Sequence, residues 1–376
     1  MIDSVRANPP FRAEHIGSLV RPQALLAARR GFEAGTIDAT ALRTAEDEAI
    51  RGIVAMQEAA GLQVVTDGEF RRGTYSDSFT TGGIRGVSVE LTENEGWKNS
   101  QTHGHRMARR IPRVVERIRW AENQNAKDVA FLCSVTGRTA KFTMPGPGYI
   151  HYRAGRANIS QAVYPSLDAF WADLTAAYHQ ELRALSDAGC RYVQIDETSL
   201  VKLGEPRVQQ RLAERGDDWR ELLATYIDAL NAVIAGAPRG MTLGVHVCRS
   251  QDPGWQSDVS YEPIAKEMFG RINVDTFFLE YDNPRAGGFE PLRLLPEGKR
   301  VVLGLVASRN PVLEDVEALR ARVSEAAKFA PLNSLSLSPH CGFSTGLQNS
   351  NTSTEALQQR KLARVVEAAN AIWGSA

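Results

Sequence analysis

"SLDAFWADLTAAYHQELRALSDAGCRYVQIDE", residues 166–197, contains a helix and a strand in succession. From Ser166 onward, apolar side chains recur every three or four residues, the period of a helix with one face on a core, and Gly189 stops the pattern. Residues 191–197, "RYVQIDE", then read as a strand that ends on Asp196 and Glu197. The unit repeats at once. "DWRELLATYIDALNAVIAG" (218–236) reads as a helix and "MTLGVHVC" (241–248) as a strand. Strands that alternate with helices of this length imply parallel βαβ units.

Outward from that pair, further strands read at 11–18, 62–69, 139–145, 274–282, 300–308 and 334–343. Helical patterns separate most of them, from "ATALRTAEDEAIRGIVAMQEAAG" (39–61) to the closing "STEALQQRKLARVVEAANAIWG" (353–374). Eight strands in an α/β chain of 376 residues predict one (β/α)8 TIM barrel as a single domain over 1–376. Less regular residues 73–133, after strand two, predict an insertion that carries a hairpin. A doubly wound sheet would usually place a glycine-rich phosphate loop after its first strand. "HIGSLVRP" (15–22) stands there instead.

Composition narrows the class. The chain is 43% apolar and 23% charged, and its 44 basic residues balance 44 acidic ones. A net charge of zero offers no electrostatic case for nucleic acid or an anionic membrane surface. No apolar run reaches the length of a membrane span, and the N-terminus lacks a secretory pattern, so a cytoplasmic location is the expectation. Four cysteines in so long a chain form no disulfide framework. Cys133 and Cys190, among apolar neighbours, read as small buried residues. Oligomeric state is left open, a homo-oligomer included.

In a barrel, catalytic groups come from the C-terminal ends of the strands. Those ends carry His15, Gly17 and Ser18; Asp67, Gly68 and Glu69; Asp196 and Glu197; His246 and Cys248; Glu280 and Asp282; Ser308 and Arg309; His340 and Cys341. His246 and Cys248 are two apart and so share a face of their strand. With Glu280 and Cys341 they could surround one zinc ion, whose ligands are of these types. The plain alternative is that His246 and Cys248 are core residues, satisfied where they stand.

The chain resembles the catalytic barrel of cobalamin-independent methionine synthase, and more closely its short, single-barrel bacterial relatives. "HIGSLVRP", "GLQVVTDGEFRR", "ALSDAGCRYVQIDETSL", "GVHVCRS", "FFLEYD", "VVLGLV" and "LSPHCGFST" carry the likeness through nearly the whole sequence. The resemblance implies a zinc ion held by His246, Cys248, Glu280 and Cys341. It implies a small thiol, homocysteine, whose amino-acid end meets Ser18, Glu69 and Asp196, and an alkyl donor such as methyl-tetrahydrofolate or another methyl carrier. A metal that lowers the pKa of a thiol makes a nucleophile at neutral pH.

The pattern also departs from that family. There is one barrel where the full-length synthase has two. The family's pterin-stacking Trp is missing from "KFTMPGPGYIHYR" (141–153), where Tyr149 or Tyr152 could stack instead. Arg309 stands where the family has a proton-managing His, and an Arg delivers no proton at neutral pH. His15 is a further catalytic candidate, as general acid or substrate contact, against the alternative of a buried structural ring. His340 reads as structural. The leading expectation is therefore a zinc-dependent methyltransferase that makes methionine. A second is an epoxide-opening enzyme akin to epoxyalkane:coenzyme M transferase, in which Arg309 would pair with a sulfonate or carboxylate. A third is a zinc-holding binding protein without turnover.

Overall fold

The helix–strand units read from the sequence are present in the computed structural model, which describes residues 8–92, 109–249, 257–344 and 353–376. Ser166 precedes the helix Leu167–Asp187, and Asp218 caps Trp219–Ala235 by accepting from the amides of Arg220 and Glu221. The strands are β1 (Val64–Val65), β2 (Ile84–Thr92), β3 (Arg109–Trp120), β4 (Thr139–Pro145), β5 (Tyr192–Glu197), β6 (Thr242–Val247), β7 (Thr276–Glu280), β8 (Arg300–Val306) and β9 (Leu335–Pro339). Seven of them form one curled parallel sheet in the order β1-β4-β5-β6-β7-β8-β9. Chain order is spatial order, as successive right-handed βαβ crossovers require.

The expected first strand, 11–18, is not a regular ladder. It bridges the gap between the two ends of the sheet. On one side Glu14 N donates to Leu337 O and Leu337 N to Arg12 O, each at 2.9 Å. On the other, Thr66 Oγ1 donates to Gly17 O at 2.7 Å and Leu19 N to Gly68 O at 3.1 Å. A local bond explains the irregularity: the Glu14 carboxylate accepts from Phe11 N at 3.0 Å and draws the chain out of the extended form. Strand two, expected over 62–69, keeps only two regular residues. Asp67 Oδ1 accepts from Glu69 N at 2.9 Å, a side-chain turn, and Gly68 takes φ +70.

The insertion does carry a hairpin, β2 against β3, antiparallel; its residues 93–108 lie outside those described. The expected span runs too far, however. Asn125–Ser134 is a helix that leads directly into β4, in the place of a regular barrel helix. Glu181, on Leu167–Asp187, ties this region down by accepting from Trp120 Nε1 at 2.6 Å and from the amides of Asn123 and Asn125 at 2.7 Å each. The helices Gln23–Glu33 and Pro206–Arg215 went unread in the sequence. Cys190 is buried, but Cys133 is only partly so.

Two apolar cores follow from the alternation along the strands. Outward-facing side chains pack under the helices. Inside the sheet Phe11, Ile16, Val64, Tyr192, Phe278 and Val302 form a separate small cluster. Polar side chains of the same inward face lie beyond it, toward the C-terminal ends of the strands.

Candidate metal centre

Register aligns the inward residues. His246 on β6 is level with Asp196 on β5 and Phe278 on β7. Glu280 and Cys248 each stand two residues further along, on the same face and one pleat higher. Cys341 follows β9 across the sheet. A His ring nitrogen, the two sulfurs and a Glu oxygen all lie within 4.8 Å of one another. A zinc tetrahedron with bonds of about 2.0–2.3 Å spaces its ligand atoms by about 3.3–3.8 Å, so the cluster needs only a small contraction to close on an ion.

The electrostatics point the same way. His246 Nε2 is buried and makes no hydrogen bond, while Glu280 Oε1 faces it at 3.4 Å. Burial alone would lower the His246 pKa, but the Asp196 and Glu280 contacts outweigh it and push it up to about 10. Burial would raise Glu280, but its contact with His246 outweighs that and holds it below its usual value. The two shifts are one interaction seen from both ends: a proton on His246 and the charge on Glu280 stabilise each other. A metal ion could take that proton's place, and the N, S, S, O donor set is one that zinc takes. The Cys248 thiol is pushed well up, first by its hydrogen bond with Cys341 and then by burial and the Glu280 charge, with His246 opposing.

Asp196 stands behind the cluster. Its Oδ1 contacts His246 Nδ1 at 3.2 Å and accepts from Gln194 Nε2 at 2.8 Å. The carboxylate–His pair is what orients a metal-ligating imidazole. Glu69 is close enough to Asp196 to feel its charge; burial first, and Asp196 among the lesser causes, raise the Glu69 pKa, with Arg72 opposing. Glu69 Oε1 accepts from Thr143 Oγ1 at 2.8 Å and lies 3.7 Å from Arg72. Its backbone sits at φ +60, uncommon for a residue with a side chain and typical of sites where orientation matters. Ser18 is packed against the Cys341 loop. A Cβ on Gly342 would fall 1.9 Å from Ser18 Oγ, so only glycine lets the two approach. Ser18, Glu69 and Asp196 thus border the four-residue cluster.

The other two sequence candidates are differently placed. His15 is fully buried, and burial with the nearby Lys141 cation holds it well below its usual pKa, hence neutral. Arg309 lies partly exposed in the turn after β8. His340 Nδ1 accepts from Ser308 N at 3.1 Å and faces Asp282 at 3.6 Å, a structural tie. Sequence reasoning missed Gln194 and Lys141 beneath the cluster, and Tyr75 and Arg153 above it. Tyr75 OH is 3.5 Å from Thr198 Oγ1, and its ring meets Tyr149 edge-on at 5.6 Å. The Arg153 guanidinium lies 5.5 Å from the Tyr149 ring.

Three comparisons bear on this geometry. The family model described as the cobalamin-independent synthase catalytic domain matches residues 11–370. The Bacillus subtilis protein YxjH is 34% identical over 97% of this chain and 95% of its own. The methionine synthase of Pyrococcus horikoshii is 24% identical over 87% of this chain and 84% of its own. Among solved structures, a Listeria monocytogenes chain, provisionally titled a vitamin-B12 independent methionine synthase, superposes with a TM-score of 0.77 at 33% identity, covering 98% of this chain and 100% of that one.

Proposed function

The chain belongs to the family of cobalamin-independent synthase catalytic domains, and from that premise we propose that it is a zinc-dependent thiol alkyltransferase that methylates homocysteine to methionine. The observation that carries the proposal is the convergence of His246, Cys248, Glu280 and Cys341, with the buried Nε2 of His246 lacking a hydrogen bond. Zinc held by these four residues would lower the pKa of an incoming thiol and supply a sulfur nucleophile at neutral pH.

The remaining work falls to the chain's own groups. Asp196 and Glu69 present carboxylates to the substrate ammonium, and Ser18 presents a hydroxyl to its carboxylate. Asp196 keeps Oδ1 on His246 and Gln194, which leaves Oδ2 for the ammonium. The amino-acid end would thereby be anchored beside the cluster, with its sulfur turned to the four ligands. Glu280 would be the ligand best suited to yield to sulfur, since a carboxylate is the hardest of the four. The methyl donor would approach near Tyr75, Tyr149 and Arg153. His15, buried and neutral, serves in packing. Arg309, in the turn after β8, would approach an anionic group of the donor.

The test is a methyl-transfer assay with homocysteine and zinc-replete protein, run with methyl-tetrahydrofolate and with a methylated corrinoid. Methionine formed with either donor supports the proposal; none with both ends the methionine reading. Zinc-edge X-ray absorption reads the first half of it separately, because added homocysteine should raise the sulfur count at zinc from two to three.

A further inference from the structure

Beneath the metal-ligand cluster, on the same inward face, lies a second buried polar group. Lys141 on β4 is 1% exposed, and Glu14 and Gln194 are fully buried. The Lys141 ammonium has three protons and no lone pair. It meets three oxygens: Glu14 Oε2 at 3.3 Å, Gln194 Oε1 at 3.1 Å and the His15 carbonyl. The rings of Phe278 and Tyr192, with centroids at 4.8 and 5.4 Å, close the remaining sides. These oxygens and rings favour a cation and oppose burial, which lowers the Lys141 pKa.

That cation fixes the direction of a hydrogen-bond chain. Gln194 must turn its oxygen to Lys141, because the reversed amide would set donor against donor. Its Nε2 then faces outward and donates to Asp196 Oδ1 at 2.8 Å. Asp196, so held, accepts from His246 Nδ1 at 3.2 Å. With the proton on Nδ1, the lone pair of Nε2 points at Glu280 and the two cysteines. We propose that Lys141 and Gln194 are positioning residues, which set from below the orientation of Asp196 and the metal-facing nitrogen of His246. Neither touches the metal or the substrate. The chain needs strand alternation to exist, since Gln194 and Asp196 are two apart on β5 and so share a face.

This inference rests on the metal reading above. Groups that orient a ligating His typically govern metal affinity by about ten- to a hundredfold. Gln194→Met keeps the volume and removes both bonds. Zinc affinity, measured by competition with a chelator of known strength, should fall by about tenfold or more, and the thiolate band of the cobalt-substituted protein should change. Tyr192→Phe is the control. It removes a hydroxyl that donates to Glu14 at 3.3 Å, on the far side of the ammonium, and should leave zinc affinity as it was. The double variant Lys141→Met/Glu14→Gln removes the ion pair without changing net charge and frees the Gln194 amide to turn; its zinc affinity should fall too, and it carries the test if Gln194→Met does not fold. A parent protein that takes up no zinc would sink both readings. A parent that binds zinc, with Gln194→Met and the double variant melting lower but binding it as tightly, would sink this one alone.

Discussion

The two polar clusters inside the barrel share strand β5 and differ in what neutralises them. The lower one carries its own cation: three oxygens surround the Lys141 ammonium. The upper one gathers a ring nitrogen, two sulfurs and a carboxylate. Arg249, the cation nearest to it in sequence, turns its guanidinium away to the carbonyls of Ser257, Val259 and Arg285. A cluster that contains its counter-charge contributes to folding. In the upper cluster the positive charge beside Glu280 is a proton on His246, which a metal ion would displace.

Four measurements can break or sharpen that contrast. The largest effect is expected from Cys341→Ser. Zinc content should fall from about one ion per chain to a small fraction of that, and methyl transfer should be abolished. The melting temperature of the metal-free protein should hardly move, because a barrel with its own apolar core does not depend on the ion to fold. A variant that keeps its zinc would remove the upper cluster from the comparison.

Lys141→Met attacks the other side. It strands a buried carboxylate and should cost about 3–5 kcal/mol of stability by urea unfolding. The double variant with Glu14→Gln should recover part of that loss. Equal losses in the single and double variants would mean that the two charges do not see each other.

Asp196→Asn lies between the clusters. It should weaken homocysteine binding by about 1.5–3 kcal/mol, the worth of a charge-assisted hydrogen bond, and disturb zinc content less. Calorimetry that finds homocysteine bound as before would confine Asp196 to holding His246.

The smallest effect is a slope. His151 is pushed down to about 4, first by burial and then by Arg215, so it is neutral in the folded chain. The unfolded chain protonates it near 6.5. Its contribution is thus complete above that value and is lost as the pH falls from about 6.5 toward about 4, at up to about 1.4 kcal/mol per pH unit. His15 adds in the same direction. His151→Phe should flatten this acid limb; an unaltered limb would mean that the ring is protonated within the fold.

The upper cluster was legible in the sequence because each member closes a strand, and strand ends in a barrel converge. The quoted helix–strand unit at 166–197 gave the architecture for the same reason: period and stop signals are local. What failed was non-local or hidden in a turn. Residues 11–18 look extended until Glu14 takes the Phe11 amide, a bond that no alternation pattern announces. Lys141 leaves no mark of its role in "TAKFTMP"; its partners lie 127 and 53 positions away. Gln194 did leave a signal. It alternates with Tyr192 and Asp196 in "RYVQIDE", and a strand that buries all three on one face must find each a partner.

A hoop of staves is as tight as its poorest joint, and here that joint is residues 11–18. Strands β4, β5 and β6, and β7 with β8, are laced by regular ladders, whereas this stave is held by scattered bonds, among them those at Glu14, Leu337, Thr66, Leu19 and Ser18. Yet it ends in Ser18, one jaw of the proposed acceptor pocket, while Asp196 stands on the laced wall. An amino acid gripped between the two would rivet the hoop shut. The amides of Glu14, Leu19 and Leu337 should then exchange with solvent more slowly once homocysteine is bound, and the substrate would serve as the clasp of the barrel that binds it.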